Sequence, residues 1–404
     1  MSEYTPKLRD KLYALSNNGE YEPIVSCLLE HPNSNARYGA AGVLSESPSF
    51  LHTASGDVTT LLIDAVLNEP EDKVRARVLD VLLEIEGESV LDNIVTRLSL
   101  NPDLAPPETS YPFVLNTWSS KPHAELRLLA VVGFGRLDTP SSREKLLMRI
   151  DEEMDIDVLR RAIEEGGEVG DIRFVSPIQQ YLRADAFSSN QYIQSKINRV
   201  QEAAAEALVK IGTDGAYEAL VSATRSNDSN LKHAAIDQIA KFGATETLDR
   251  VIDELDSPES EAVRKTAATG ILTTFVSSDF EDSHEVREQA IEAISEDVSI
   301  DVSGDFAAVI EDSDNTAKKR NAAWLLGQID DESEVAAETL ASAVVDSDDE
   351  LLAIIAAATL SNHDPHLVSE CIDAIRDAVD DDSLANELVS FVESDVANDV
   401  QELD

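Results

Sequence analysis

The chain of 404 residues carries 79 acidic and 32 basic side chains, a formal net charge of −47, and 43% of its residues are hydrophobic. This hydrophobic content suffices for a folded core, which excludes a disordered chain despite the charge. Two cysteines exclude a disulfide framework and Cys-rich metal sites. The sequence has neither an 18-residue apolar run nor an apolar leader, so we expect a cytoplasmic protein with no membrane partner.

A recurring motif of about 32 residues organises most of the chain. In each copy an apolar residue precedes Arg, Lys or another polar residue. A small or apolar side chain follows three positions later, and a large apolar one four positions beyond that; Val263-Arg264 thus leads to Ala267 and Ile271. This spacing predicts one face of an α-helix rather than a strand. The copies are anchored at residues 37, 75, 127, 160, 201, 232, 264, 287, 319 and 353.

Uneven steps between the anchors predict where the array is interrupted. Residues 1–20 are expected to cap the first repeat. The 52-residue step from 75 to 127 leaves an insert near residues 99–120, and the 41-residue step from 160 to 201 leaves another near 184–196. The 23-residue step from Arg264 to Arg287 is too short for two helices, so one helix there is expected to be shortened or missing.

Each copy predicts a pair of antiparallel helices. Glycine or a short polar residue follows many motif helices about ten residues past the anchor, as at Gly212 and Gly243, and a second apolar helix comes next. One such pair cannot bury its apolar stripes alone, so the pairs must stack. We therefore expect an all-α fold, a single α-α superhelix of about nine or ten helical pairs over residues 21–395, with an acidic tail at 396–404.

The motif resembles the HEAT repeat, in particular the short HEAT-like type first named from phycobilisome lyases. The family pattern D-x-x-x-x-V-R-x-x-A-x-x-x-L-G matches the copies, and NAAWLLGQID at 321–330 is one of its cleanest ends. The resemblance covers roughly residues 20–395. It implies that the Val-Arg helices line a concave face, and that each repeat arginine has a structural role, paired with an acidic turn residue of its own or a neighbouring repeat. These arginines are Arg37, Arg75, Arg127, Arg264 and Arg287.

The first insert supplies the candidate partner-binding residues, Tyr111, Phe113 and Trp118. Aromatic side chains are enriched at binding hot spots, and this chain has two tryptophans in all. The alternative is that the segment PFVLNTW forms the first helix of the third repeat and packs inward.

Potential metal ligands do not form a recognisable set. His284-Glu285 is the one His-Glu dipeptide, whereas the HEAT-repeat deoxyhypusine hydroxylases hold two irons with four, so we interpret it as a surface histidine near a helix start. His363 and His366 flank a proline, which predicts an inter-helix turn rather than a zinc site. No catalytic residues, cofactor or metal are therefore predicted.

Two further groups of residues have plain structural interpretations. The carboxylate runs at 311–314 and 346–350 lack the glycine and glutamate positions of an EF-hand loop, so we expect solvated turns with weak cation binding as the alternative. Cys27 and Cys371 lie within apolar helical patterns and are expected to be small buried residues.

The acidic charge indicates the salt concentration in which the protein works more than the kind of ligand that it binds. A lysine-poor acidic surface resembles proteins of salt-in halophiles, because molar salt screens its self-repulsion; the alternative is an acidic docking surface for a basic partner. Basic residues cluster only at Arg160-Arg161 and 318–320, which does not favour nucleic acid, and a small-molecule ligand is not favoured either. We expect a non-catalytic protein–protein scaffold or adaptor from a haloarchaeon, in taxis signalling or complex assembly. The alternative is a HEAT-like lyase or hydroxylase acting on a protein or pigment.

Overall fold

The computed structural model describes residues 6–54, 56–99, 111–183, 191–242, 245–255, 261–278, 283–298, 301–329, 333–376 and 383–402. Within these ranges the chain forms 24 α-helices, two short 3-10 helices and no strand, so the all-α prediction is confirmed. The contacts divide the chain into two compact units, residues 1–178 with 195–203, and residues 179–194 with 204–404.

The first unit contains the helices up to α12, together with part of α13. Their bounds are α1 (Pro6–Asn17), α2 (Glu22–Glu30), α3 (Ser34–Ser45), α4 (Pro48–Thr53), α5 (Gly56–Asn68), α6 (Asp72–Glu86), α7 (Ser89–Ser99), α8 (Tyr111–Ser119), α9 (Ala124–Leu137), α10 (Pro140–Glu152), α11 (Ile156–Val169), α12 (Val175–Gln179) and α13 (Gln191–Ile211). A 3-10 helix, Ile172–Phe174, precedes α12.

The second unit contains the remaining helices. Their bounds are α14 (Asp214–Thr224), α15 (Ser229–Ile239), α16 (Thr245–Leu255), α17 (Glu261–Ser277), α18 (Ser283–Asp297), α19 (Ser303–Asp312), α20 (Thr316–Ile329), α21 (Glu334–Asp346), α22 (Glu350–Leu360), α23 (Pro365–Ile375) and α24 (Leu384–Glu402). The other 3-10 helix, Ala240–Phe242, extends α15.

The helices that carry the Val-Arg motif pack side by side within each unit. In the first unit α3 contacts α6, and α9 contacts both α6 and α11. In the second unit α17 contacts α15 and α20, and α22 contacts α20 and α24. The helices between them in the chain form the other layer, as α21 does with α19 and α23. The apolar stripe falls between the layers: Val263 is nearly buried, and Ala267 and Ile271 are fully so.

Local sequence signals set the ends of these helices. Thr139 and Ser142 form a capping box at the start of α10, and the Asp155 carboxylate accepts two backbone N–H groups at the start of α11. Gly170 ends α11 with φ of +68°, a left-handed conformation that favours glycine. Turn chemistry readable in the sequence thus fixes where many helices begin and end.

The short step between Arg264 and Arg287 has a different cause from the one predicted. The motif helices α17 and α20 contact each other directly, and two helices, α18 and α19, lie between them in the chain. Arg287 belongs to α18, which packs on α16 and is an additional helix. The expectation of a shortened or missing helix was therefore wrong; the apolar spacing of α18 imitates the motif.

The predicted interruptions of the array fall partly on described residues. Residues 100–110 and 184–190 lie outside the described part of the chain, whereas the ends of the two inserts belong to α8 and α13. At the end of the chain α24 continues to Glu402, so residues 396–402 extend a helix where a tail was expected. In the described ranges no helix is both long and apolar enough to cross a membrane.

Candidate functional site on the aromatic helix

The three aromatic residues of α8 occupy three different environments. Trp118 is 4% exposed, and the Arg75 guanidinium lies over its ring at 5.6 Å. Tyr111 is half-buried and its hydroxyl donates to the Gly133 carbonyl at 3.1 Å; burial raises its pKa to about 12. Phe113 is 48% exposed. Helix α8 therefore packs through Trp118 and leaves the Phe113 side chain half exposed to solvent.

Two glycines of α9 allow its neighbours to approach closely. A Cβ atom added at Gly133 would collide with the side chain of Leu115 on α8, and one added at Gly135 would collide with the carboxylate of Glu165 on α11. The physical role of these glycines is to bring α8 and α11 against opposite sides of α9.

A groove of about 500 Å³ lies between α8 and α10, with the buried ring of Phe134 from α9 as one wall. Both helices pack on α9 much more than on each other, which leaves the space between them open. In the second unit, by contrast, α21 packs directly on the equivalent neighbours α19 and α23. The other lining residues are Asn116, Ser119, Ser120, Ser141, Lys145, Met148 and Arg149.

The groove is cationic and partly apolar. No carboxylate is among its lining residues, and the carboxylates of α10 are exposed elsewhere on that helix. Lys145 is half-buried, and no group in the described part of the chain forms a hydrogen bond or ion pair with its amine. Arg149 donates to Glu153 at 3.1 Å, while Met148 is 45% exposed. Lys145 is thus a cation without a counter-ion in the described part of the chain, on the same groove as the exposed Met148 side chain.

The repeat arginines connect successive repeats. Arg37 donates two hydrogen bonds to Glu69, at 2.9 and 2.7 Å, across 32 residues of sequence. Arg127 binds Glu153 in the same bidentate way, at 2.9 and 2.8 Å. Burial raises the pKa of Glu69, but the hydrogen bonds from Arg37 and a backbone N–H outweigh it and leave that pKa below its ordinary value. These carboxylates are ionised partners of a fixed guanidinium.

The other predicted arginines are held in less regular ways. Arg75 donates to Asp72 at 2.6 Å and to the Val66 carbonyl at 3.0 Å. Arg264 contacts Asp305 at 3.2 Å. Arg287 donates to the Asn321 amide oxygen at 3.1 Å and lies over two aromatic rings, Phe275 and Trp324.

Sequence reasoning missed one member of the set. Arg320 donates to Asp349 at 2.7 Å through two nitrogens, the same bidentate arrangement as Arg37 and Arg127. The motif was aligned on Lys319, one residue earlier. The signal that could have found it is Asp349, which also caps α22 by accepting the Leu351 N–H, as an acidic residue at the turn of the next repeat should.

Both arginines of the basic dipeptide Arg160-Arg161 are paired with carboxylates. Arg160 is 8% exposed and contacts Glu88 and Glu164, while Arg161 lies 2.8 Å from Glu165. Burial raises the pKa of Glu165 to about 7, against the opposing effect of Arg161. These two cations are therefore committed to an internal network and do not form a track for phosphates.

The histidines of the sequence analysis are not brought together. The His284 side chain is 83% exposed and lies 3.5 Å from Glu288 one turn on. His363 is buried and bonds the Thr359 carbonyl at 3.1 Å, whereas the His366 side chain is 80% exposed. Across the described ranges, no three His, Cys, Asp or Glu side chains are placed to hold a metal ion.

The two cysteines are buried or partly buried, and the carboxylate runs lie at turns. Cys371 is buried but Cys27 is half-buried, and burial raises the pKa of both thiols. The runs at 311–314 and 346–350 lie at the turns after α19 and α21 and line one open groove of about 520 Å³ in the second unit. Their carboxylates make this second groove acidic, the opposite of the α8–α10 groove.

Comparison with known proteins supports the repeat assignment locally. The family model described as PBS lyase HEAT-like repeat matches residues 200–226, which span the end of α13 and all of α14. This match supports the predicted HEAT-like repeat at this position. No curated protein matches the chain.

Several solved structures align with the chain at low identity. A crystal structure of an engineered protein is 17% identical with a TM-score of 0.45, over 93% of this chain and 98% of its own. The complex of CpcE and CpcF of phycocyanin lyase from Nostoc sp. is 17% identical with a TM-score of 0.35, over 72% and 97%. Kap95p, in a structure with RanGDP, is 14% identical with a TM-score of 0.43, over 94% and 50%.

Proposed function

We propose that the protein is a non-catalytic scaffold or adaptor that binds another protein through the α8–α10 groove of its first unit. The observation that carries this proposal is the open groove lined by the exposed side chain of Met148, with exposed Phe113 on α8, one of the two helices that border it. Large side chains at such positions are typical hot spots when a partner covers them. Tyr111 and Trp118 act beneath this surface, because their contacts with Gly133 and Arg75 fix the position of α8.

The wider setting follows from the charge. A net charge of −47 with 12 lysines supports a cytoplasm of molar salt, as in a haloarchaeon, because carboxylates remain hydrated there and their repulsion is screened. The roles we propose for such an adaptor are taxis signalling or the assembly of a protein complex. The HEAT-like repeat supports a surface made of stacked helical pairs rather than an enclosed active site.

The enzymatic alternative, a lyase or hydroxylase acting on a protein or pigment, receives less support. Its chemistry would need a set of convergent polar groups in a cavity. The described histidines are dispersed, and Glu165, a buried carboxylate, is bonded to Arg161. The described histidines and Glu165 do not line a common cavity, because the helices pack in two layers around an apolar core.

The test is capture of a partner in about 2 M KCl, a concentration at which exposed charges are screened. The parent chain, Phe113→Ala and Phe391→Ala serve as baits in a lysate of the source cells, with identification by mass spectrometry. Phe391 is a matched control because it is also 48% exposed but lies on α24. A protein captured by the parent and the control but reduced about tenfold by Phe113→Ala, roughly 1.4 kcal/mol of binding, is the expected result.

Measurements of unfolding free energy distinguish the exposed residue Phe113 from the buried residue Trp118, which supports α8. Trp118→Ala removes a buried side chain and should cost about 3–5 kcal/mol of unfolding free energy in urea titration, whereas Phe113→Ala should leave the midpoint nearly unchanged. The proposal fails if the parent captures no protein, or if Phe113→Ala retains the partner as well as Phe391→Ala does.

A further inference from the structure

We infer that the α8–α10 groove takes an acidic, apolar-faced protein segment, and that Lys145 is the cation that pairs with it. The inference rests on the proposed scaffold function and names the chemistry of the partner. Met148 and the wall formed by Phe134 line the groove and would contact the apolar face of the segment, while Lys145 would pair with its carboxylate.

The charge distribution favours an acidic occupant. Many of the cations on this chain are paired internally, as Arg37 is with Glu69 and Arg127 with Glu153. Lys145 instead lines an open groove, half-buried, with no partner in the described part of the chain and no carboxylate among the other lining residues. A half-buried amine without a counter-ion costs desolvation free energy, and a partner carboxylate would offset that cost.

A second feature points the same way. A smaller cavity of about 70 Å³ at the start of α10 shares Asn116, Phe134, Ser141 and Lys145 with the lining of the groove. The Thr139 and Ser142 hydroxyls are already bonded in the capping box, so the Ser141 hydroxyl and the positive end of the helix dipole are what favour a negative group at that point. An incoming carboxylate would therefore meet Lys145 and the first turn of α10 together.

The exposed apolar side chains favour a protein over a nucleic acid. Nucleic-acid surfaces need a row of cations for successive phosphates. This groove has two, Lys145 and Arg149, and Arg149 already donates to Glu153. Molar salt does not abolish the pairing either, because partly buried ion pairs are screened much less than exposed ones.

The chain offers an internal probe for the test. It has three methionines, of which Met148 lines the groove and Met154 is 91% exposed outside it. Carbon-13 methyl-methionine spectra are recorded in 0.5 and 2 M KCl during titration with a synthetic 14-residue peptide. Asp and Glu alternate in it with Leu and Phe at helical spacing. Matched probes replace every acid by Lys, or every Leu and Phe by Ser, and a 14-nucleotide oligo-dT tests the nucleic-acid alternative.

The expected result is a saturable change in the chemical shift of the Met148 methyl group with the acidic apolar peptide alone. The chemical shift of the Met154 methyl group should not change. Lys145→Glu should weaken this binding about tenfold or more, whereas Lys7→Glu, the same charge change at an exposed site on α1, should have little effect. Ser141→Asp is a second variant. It adds a negative charge in the first turn of α10, where such a charge stabilises the helix, so its loss of binding would not come from unfolding.

Three results would overturn the inference: no movement of the Met148 signal, equal binding of the Lys-substituted peptide or of oligo-dT, or unchanged affinity in both Lys145→Glu and Ser141→Asp. The capture experiment decides the scaffold function separately. If Phe113→Ala loses a partner that Lys145→Glu retains, the scaffold stands and the acidic-segment inference is wrong.

Discussion

At the scale of single residues, the molecule is governed by where each charge finds a partner. Three arginines each donate two hydrogen bonds to one carboxylate and connect a repeat to the next: Arg37, Arg127 and Arg320. Such pairs restrict the geometry between repeats, since the planar guanidinium fits a carboxylate in one orientation. Glu165 and Lys145 differ from these pairs: Glu165 is buried beside Arg161 with a raised pKa, and Lys145 has no partner in the described ranges.

Glu165→Gln tests the buried carboxylate through pH. Burial raises the pKa of Glu165 to about 7 in the folded chain, from an ordinary value of 4.5. The group therefore contributes its stability fully below the unfolded pKa, and that contribution is lost as pH rises through about 7. The variant cannot ionise, so its unfolding free energy relative to the parent should rise between about pH 5 and pH 8, by roughly 2 kcal/mol.

Urea titrations at several pH values measure this difference. Glu144→Gln is the matched control, because it makes the same substitution at an exposed position on α10 and removes no buried carboxyl group. A flat difference for Glu165→Gln would mean that Arg161 keeps Glu165 ionised throughout this range.

At the scale of helices, small residues set how closely neighbours pack. Gly133 and Gly135 admit Leu115 and Glu165 to opposite sides of α9. In the second unit a Cβ atom added at Gly270 would lie 3.1 Å from Val251 Cγ1, tighter than most packed contacts. Alanine at the motif position serves the same purpose, because a larger side chain would separate the two layers.

Ala267→Leu tests this packing on α17. Ala267 is fully buried, so the added atoms should overpack the core and lower the unfolding free energy by about 1–3 kcal/mol. The matched control is Ala262→Leu, the same substitution at an exposed position of the same helix, which should change stability little. Equal urea midpoints for the two variants would contradict the placement of the motif against the neighbouring helices.

At the scale of the whole molecule, the ratio of acidic to basic side chains differs greatly from one region to another. Residues 281–404 carry 34 acidic and 5 basic side chains, whereas the α8–α10 groove has cations and no carboxylate among its lining residues. Self-repulsion of this size opposes the compact state in dilute salt. An acidic partner would meet cations and no carboxylate in the lining of this groove, unlike the acidic groove of the second unit.

Salt should therefore stabilise the protein markedly. We expect the melting temperature, followed by helical circular dichroism, to rise between about 0.1 and 2 M KCl, because the Debye length falls from about 10 Å to about 3 Å or less. A melting temperature that stays constant over this range would contradict the halophilic interpretation of the charge.

The sequence by itself determined the helical pairs and the buried stripe, because both depend on local spacing: Val263, Ala267 and Ile271 recur on one face whatever surrounds them. It also indicated a special role for the aromatic segment. Only the tertiary structure decided that Trp118 packs under Arg75 while Phe113 faces outward, that α18 is an additional helix, and that Lys145 lines an open groove. These features depend on contacts between residues far apart in the chain, and helical periodicity carries no information about which neighbour fills a given face.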